Sequence, residues 1–173
     1  MQLQITRVAG GSAAGVAPRT LQRAARPQRP AAAPSRQRAV AVKAGLLDFF
    51  NQGKVQAAVA AAGQYDEAAT KAAIEKYIAD NPVVVFSWSG CPFCKRAKAV
   101  LDATGAKYTA LELDQMADGK ALRAELAKKT GRSSVPNIWI AGQNVGGCND
   151  GPGVATLQDK GELVPMLKAA GAL

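Results

Sequence analysis

Val83-Val84-Val85-Phe86-Ser87-Trp88-Ser89-Gly90-Cys91-Pro92-Phe93-Cys94 is the stretch that decides the fold. Its first four residues are apolar and mostly β-branched, the composition of a strand covered on both faces. After a short break, Cys91-Pro92-Phe93-Cys94 opens the helix-like run Lys95-Arg96-Ala97-Lys98-Ala99-Val100-Leu101. Pro92 suits a first helical turn, where its missing N–H costs nothing. Two cysteines spaced C-x-x-C at a strand-to-helix junction are the sequence form of a redox dithiol. A free thiol with a pKa of about 8.5 is only about 3% thiolate at pH 7. The unpaired N–H groups and positive dipole end of a helix N-terminus stabilise the anion that such chemistry needs.

Outward from this junction the hydrophobic pattern is regular. Glu67 to Ala79 reads as a helix with Ala69, Ala73, Ile74, Tyr77 and Ile78 on its apolar face, stopped by Asn81-Pro82. Val83 to Ser87 is the first strand and Pro92 to Ala103 the helix after it, closed by Gly105. Tyr108 to Leu113 alternates as a second strand, and Gly119 to Lys129 is a helix ended by Thr130-Gly131. Asn137 to Ala141 and a short strand at Val145 form a hairpin around Ala141-Gly142-Gln143-Asn144. Asp150 to Gln158 and Gly161 to Ala170 read as short helices, shortened by their Gly and Pro residues. The order α-β-α-β-α-β-β-α-α implies an α/β layer structure with a mixed sheet.

Charge divides the chain. Residues 1–47 hold eight basic residues and no acid, which leaves 14 basic against 13 acidic residues from Asp48 onward, a net of +1. The overall charge of +9 therefore belongs to the leader, and no nucleic-acid partner is expected for the rest. Ala, Arg and Pro dominate the leader, and it lacks the apolar core of a secretory signal. Residues 1–44 are expected to be a disordered organelle transit peptide, processed near Val42-Lys43-Ala44. Residues 45–65 are Ala-rich and read either as an accessory amphipathic helix or as a poorly ordered linker, with the linker preferred. No segment has the length of a membrane span. Three cysteines and no histidine rule out Cys–His catalysis and haem attachment through C-x-x-C-H, and they leave a structural zinc site short of ligands. Redox chemistry remains, or an iron–sulfur cluster with borrowed thiol ligands.

From residue 66 to 173 the chain resembles a glutaredoxin, a glutathione-dependent branch of the thioredoxin fold. Three separated motifs carry the resemblance: VVVFSWSGCPFC, TGRSSVPNIWI and VGGCND. It implies a central four-stranded mixed sheet flanked by helices, and a cis peptide at Val135-Pro136 beside the redox cysteine. Cys91 matches the nucleophile and Cys94 the resolving cysteine. By the same resemblance, Phe93 would stand beside the glutathione sulfur and the Val135 backbone would pair with the glutathione cysteine. Asp150 matches the acid that receives the glutamyl ammonium, with Cys148 and Asn149 matching the contacts to the glutamyl carboxylate. Arg132 matches the position at the glycine end. Two departures are visible: Trp88 stands where the family usually has Lys, and Ser134 where it has Thr. Arg132 and Lys95 are the candidates to replace the missing charge.

The implied activity is reduction of protein–glutathione mixed disulfides and protein disulfides, with glutathione as reductant and no metal site. The alternative is a [2Fe–2S] carrier, disfavoured because the rigid Pro92 ring adjoins the thiol. The implied form is a monomer in the chloroplast, with the mitochondrion as the alternative. More ordinary roles stand beside these assignments. Cys148 can be a backbone contact in the Gly-Gly turn, Asp150 a helix N-cap, and Lys95, Arg96 and Lys98 a solvated helix face.

Overall fold

A computed structural model describes residues 51–173 of the chain. The expected transit peptide, 1–44, lies outside the described residues, as does the start of the Ala-rich segment. Residues 51–62 are helical (α1), so the described part of that segment is the accessory helix and not the linker preferred on sequence grounds. Its alanines are the strongest helix formers. Only Ala58 is buried, with Val55 and Val59 half-buried beside it.

Helix α2 (Glu67–Asp80) starts where the Asp66 carboxylate accepts the Ala69 N–H at 2.9 Å. It stops at Asn81, whose side-chain amide donates back to the Tyr77 carbonyl at 2.8 Å. Strand β1 (Val83–Ser87) follows and is buried throughout. Helix α3 (Pro92–Thr104) has Cys91 as N-cap and Pro92 in its first turn, and ends at Gly105 in the left-handed region. Then come β2 (Thr109–Glu112), α4 (Gly119–Thr130), β3 (Asn137–Ile140), β4 (Gln143–Gly146), α5 (Val154–Asp159) and α6 (Leu163–Ala169).

The sheet order is β2-β1-β3-β4, with β1 parallel to β2 and antiparallel to β3, and β3 antiparallel to β4. This is the four-stranded mixed sheet of a thioredoxin fold. Alternation along the strands divides the core in two. Val83, Val85, Ile138 and Ile140 pack with Ala97, Leu101, Leu157, Leu163 and Leu167 on the side of α3, α5 and α6. Val84, Phe86 and Trp139 pack with Ile74, Ile78, Leu122 and Leu126 on the side of α2 and α4. Each buried Val, Leu, Ile or Phe among them contributes about 1.5–3 kcal/mol, and both faces of β1 are covered. The continuous apolar run at 83–86 thus has its physical reason.

The sequence pattern misplaces two helices. The one expected from Asp150 begins at Val154, because the chain first passes through Gly146, Gly151 and Gly153, all at positive φ. The last helix starts at Leu163 rather than Gly161, and Pro165 falls in its first turn, where its absent N–H is not needed.

Candidate active site

The site is assembled from three loops at the end of the sheet where β1 and β4 finish and β3 begins. The first leaves β1 through Trp88-Ser89-Gly90 and returns at Cys91, whose N–H donates to the Trp88 carbonyl at 3.1 Å. Ser89 fastens this loop, donating its N–H to the Asp114 carboxylate at 3.0 Å and its hydroxyl to the other carboxylate oxygen. These bonds hold the Asp114 carboxyl below the usual range. As N-cap, Cys91 turns its sulfur over the helix end, where Sγ accepts the Cys94 N–H at 3.4 Å.

The two cysteines differ sharply in surroundings. Cys91 is half-buried, whereas Cys94 is fully buried on the sheet side of α3. Burial pushes the Cys94 thiol up to about 11. All three cysteines are free thiols. Phe93, between the pair, is 56% exposed, an apolar side chain at the surface next to the two cysteines.

The second loop joins α4 to β3. The Val135-Pro136 peptide is cis, as the resemblance implied, and the Val135 carbonyl lies 3.8 Å from Cys91 Sγ. The third loop, from β4 to α5, doubles back tightly: Gly147 N–H donates to the Asp150 carbonyl at 2.7 Å. Gly146 is required here, since a Cβ would overlap the Asp150 and Gly151 backbone. Cys148 points inward with its thiol buried, 3.5 Å from Asn149 Oδ1, and burial raises its pKa. Asn149 and Asp150 are exposed.

Arg132 and Asp150, expected at opposite ends of a bound glutathione, are held together. The Arg132 guanidinium pairs with the Asp150 carboxylate and also donates to the Asp150 carbonyl at 3.1 Å. Asp150 is therefore not the cap of α5. Trp88, standing where a lysine was expected, packs against the α2/α4 core and lies under the Arg123 guanidinium at 4.7 Å. Arg123 in turn donates to the Ser133 carbonyl at 2.9 Å, which ties α4 to the cis-proline loop. The sequence carried no signal for Arg123. Lys95 is exposed. Lys98 is not part of a solvated face; it pairs with Glu112 at 2.6 Å.

The described residues include no group of three or more His, Cys, Asp or Glu that could hold a metal ion. None of their helices is long and apolar enough to cross a membrane.

A glutaredoxin family model matches residues 83–145, from β1 to β4. Rice glutaredoxin-C6 is 46% identical over 96 residues, which cover 56% of this chain and 83% of that protein. The chain belongs to the glutaredoxin family. This glutaredoxin is thus a glutathione-dependent oxidoreductase with the thioredoxin fold. It is also 43% identical over 99 residues to the chloroplastic glutaredoxin-C4 of rice, covering 57% of this chain and 72% of that one. Among solved structures it resembles a buckwheat glutaredoxin–glutathione complex, at 39% identity and a TM-score of 0.59, over 62% of this chain and 94% of the other.

Proposed function

We propose that this glutaredoxin reduces protein–glutathione mixed disulfides and protein disulfides, with Cys91 as nucleophile and Cys94 as the resolving thiol. The observation that carries this reading is the asymmetry of the pair: an accessible sulfur at a helix N-terminus, facing an N–H donor, with a buried thiol one turn behind. Cys91 thiolate attacks the glutathione sulfur of a mixed disulfide; a new S–S bond forms, and the substrate thiolate leaves with the electron pair. A second glutathione then attacks the glutathione sulfur of this disulfide, forming oxidised glutathione and releasing Cys91 thiolate; alternatively Cys94 attacks Cys91 Sγ and releases glutathione.

Glutathione offers an ammonium and a carboxylate at its glutamyl end. Asp150 takes the ammonium, and the backbone at Cys148 and Asn149 the carboxylate. Phe93 flanks the glutathione sulfur, and Val135, ahead of cis-Pro136, pairs with its cysteine backbone. Arg132, once exchanged off Asp150 by the incoming ammonium, is free to meet an anionic group. A buried Cys148 thiol favours the backbone role for that residue. The buckwheat relative was solved with glutathione, in keeping with this assignment.

The experiment is trapping. Cys94→Ser protein mixed with oxidised glutathione is expected to gain one glutathione, on Cys91, by mass spectrometry. An adduct on Cys148 instead, or none, overturns the reading. Anaerobic incubation with iron and sulfide separates it from the [2Fe–2S] alternative, since a colourless monomer is the expected product. The chloroplastic relative and the basic, acid-free leader support targeting to the chloroplast, which a fluorescent fusion of residues 1–50 tests against the mitochondrion.

A further inference from the structure

Two of the loops that build the site meet on a single side chain of the neighbouring helix. Arg123 projects from α4, where Ala121, Leu122, Ala124, Glu125, Leu126 and Ala127 are all buried, so it stands on a firmly packed base. Its Nε–H donates to the carbonyl of Ser133, two residues ahead of Val135, at 2.9 Å. Its guanidinium carbon lies 4.7 Å from the centroid of the Trp88 ring. That is within the span of about 6 Å over which a cation is attracted to an aromatic face. Trp88 opens the loop that leads to the redox helix, and its carbonyl accepts the Cys91 N–H at 3.1 Å. One arginine thus bridges the segment that carries Cys91 and the segment that carries the Val135 backbone. Where these segments face each other, Cys91 Sγ and the Val135 carbonyl are 3.8 Å apart. Trp88 and Val135 also pack on the same core. Among the described residues, Arg123 and Cys91 are the two whose side chains bond the backbone of residues 133–135.

We propose that Arg123 is a positioning residue for the reaction at Cys91. It clamps the Trp88 loop to the cis-proline loop and so fixes the Val135 backbone at the distance from which glutathione is presented to the sulfur. The inference rests on the proposed function, in which Val135 pairs with the glutathione cysteine. Arg123 itself touches none of the reacting atoms. A guanidinium suits the task, because its plane stacks on an aromatic ring while its N–H groups donate within that plane; lysine offers the charge without the plane. A displacement of about 1 Å at the reacting groups can cost about 100-fold in rate, so a clamp remote from the sulfur still bears on turnover.

The test is steady-state reduction of a glutathionylated peptide by the full chain, read beside alkylation of the reduced protein by iodoacetamide. Mass spectrometry assigns the alkylation to each cysteine. Arg123→Met keeps the aliphatic stem and removes both contacts. Its kcat/KM for the glutathionylated peptide is expected to fall about tenfold, while Cys91 is alkylated within about twofold of the wild-type rate. Iodoacetamide reaches the sulfur without help from the Val135 backbone. A merely structural defect would instead open the core and speed alkylation of the buried Cys94 and Cys148. Trp88→Leu removes the ring and leaves the Arg123–Ser133 bond in place. Its loss and that of Arg123→Met are expected to combine less than additively in the double variant, because one clamp is broken only once. Arg123→Lys recovers part of the loss. An unchanged kcat/KM in Arg123→Met, a fall matched by faster alkylation of Cys94 and Cys148, losses that simply add, or full recovery in Arg123→Lys would overturn the clamp alone. A wild-type chain that does not reduce the glutathionylated peptide would overturn the proposed function and the clamp with it.

Discussion

Two glutamates on opposite faces of the sheet are built alike. Glu112, behind the redox helix, gives one carboxylate oxygen to Lys98 at 2.6 Å. Glu125, on α4 beneath the start of α2, gives one to Lys128 and to the Tyr65 hydroxyl, each at 2.7 Å. In both, the second oxygen is buried without a hydrogen-bond partner. The neighbourhoods separate them. Around Glu125 the next groups are Lys71, at 3.8 Å from the spare oxygen, and Glu67, itself paired with Lys128 at 2.9 Å. Nothing there reacts. Around Glu112 the neighbour is Ser87, its partner in the strand register. A buried carboxylate pinned by lysine is therefore not a functional signature by itself.

The sharpest way to break this comparison is to neutralise each carboxylate in turn. Glu125→Gln is expected to lower stability more than Glu112→Gln, because the Glu125 side chain is 1% exposed and that of Glu112 21%; equal losses would show that depth of burial does not separate the two pairs. Glu125 is only 2% exposed and ties Tyr65 and α2 to α4, so Glu125→Gln should lower the unfolding free energy in urea by about 1–3 kcal/mol.

The acid limb of stability gives a smaller, signed effect. Burial alone would raise the Glu125 carboxyl, but the bonds from Lys128 and Tyr65 and the charges of Lys128 and Lys71 outweigh it and hold it below its ordinary value. A carboxyl depressed in the folded state stabilises the protein above its unfolded pKa and loses that contribution as pH falls through the folded one. Melting temperatures taken from pH 7 to 3 should therefore converge for wild type and Glu125→Gln at the acid end. Divergence there would mean that Glu125 binds no more weakly to protons when folded. Smallest of all is Lys76→Ala. The Lys76–Asp80 pair is as short as that of Glu125, at 2.7 Å, but exposed, and its loss should leave the melting temperature unchanged within error.

The legibility of the molecule followed the same division between local pattern and neighbourhood. Val83 to Ser87, the Pro92 helix start and the Gly105 and Gly131 caps were readable because each is set by residues adjacent in sequence. So was the cysteine pair, since a strand-to-helix junction places its first sulfur without further information. The start of α5 was not, because the decisive glycines at 146, 151 and 153 act through positive φ rather than through an apolar period. The Arg132–Asp150 pair, 18 residues apart, and the Arg123–Trp88 stack, 35 apart, exist only once the loops meet at one end of the strands. Lys98 was misread as solvated because nothing on its own helix reveals Glu112 across the sheet. Motifs thus located the cysteine pair, while the groups packed around it came only from the fold.

The central claim, that Cys91 alone attacks and Cys94 only resolves, is tested most directly by glutathione-dependent turnover of a glutathionylated protein. Wild type, Cys91→Ser and Cys94→Ser are measured side by side. The account predicts that Cys91→Ser loses activity at least 100-fold, as when a reacting nucleophile is removed, while Cys94→Ser stays within several-fold of wild type. A Cys91→Ser protein that still turned over, or a Cys94→Ser protein equally inactive, would contradict it.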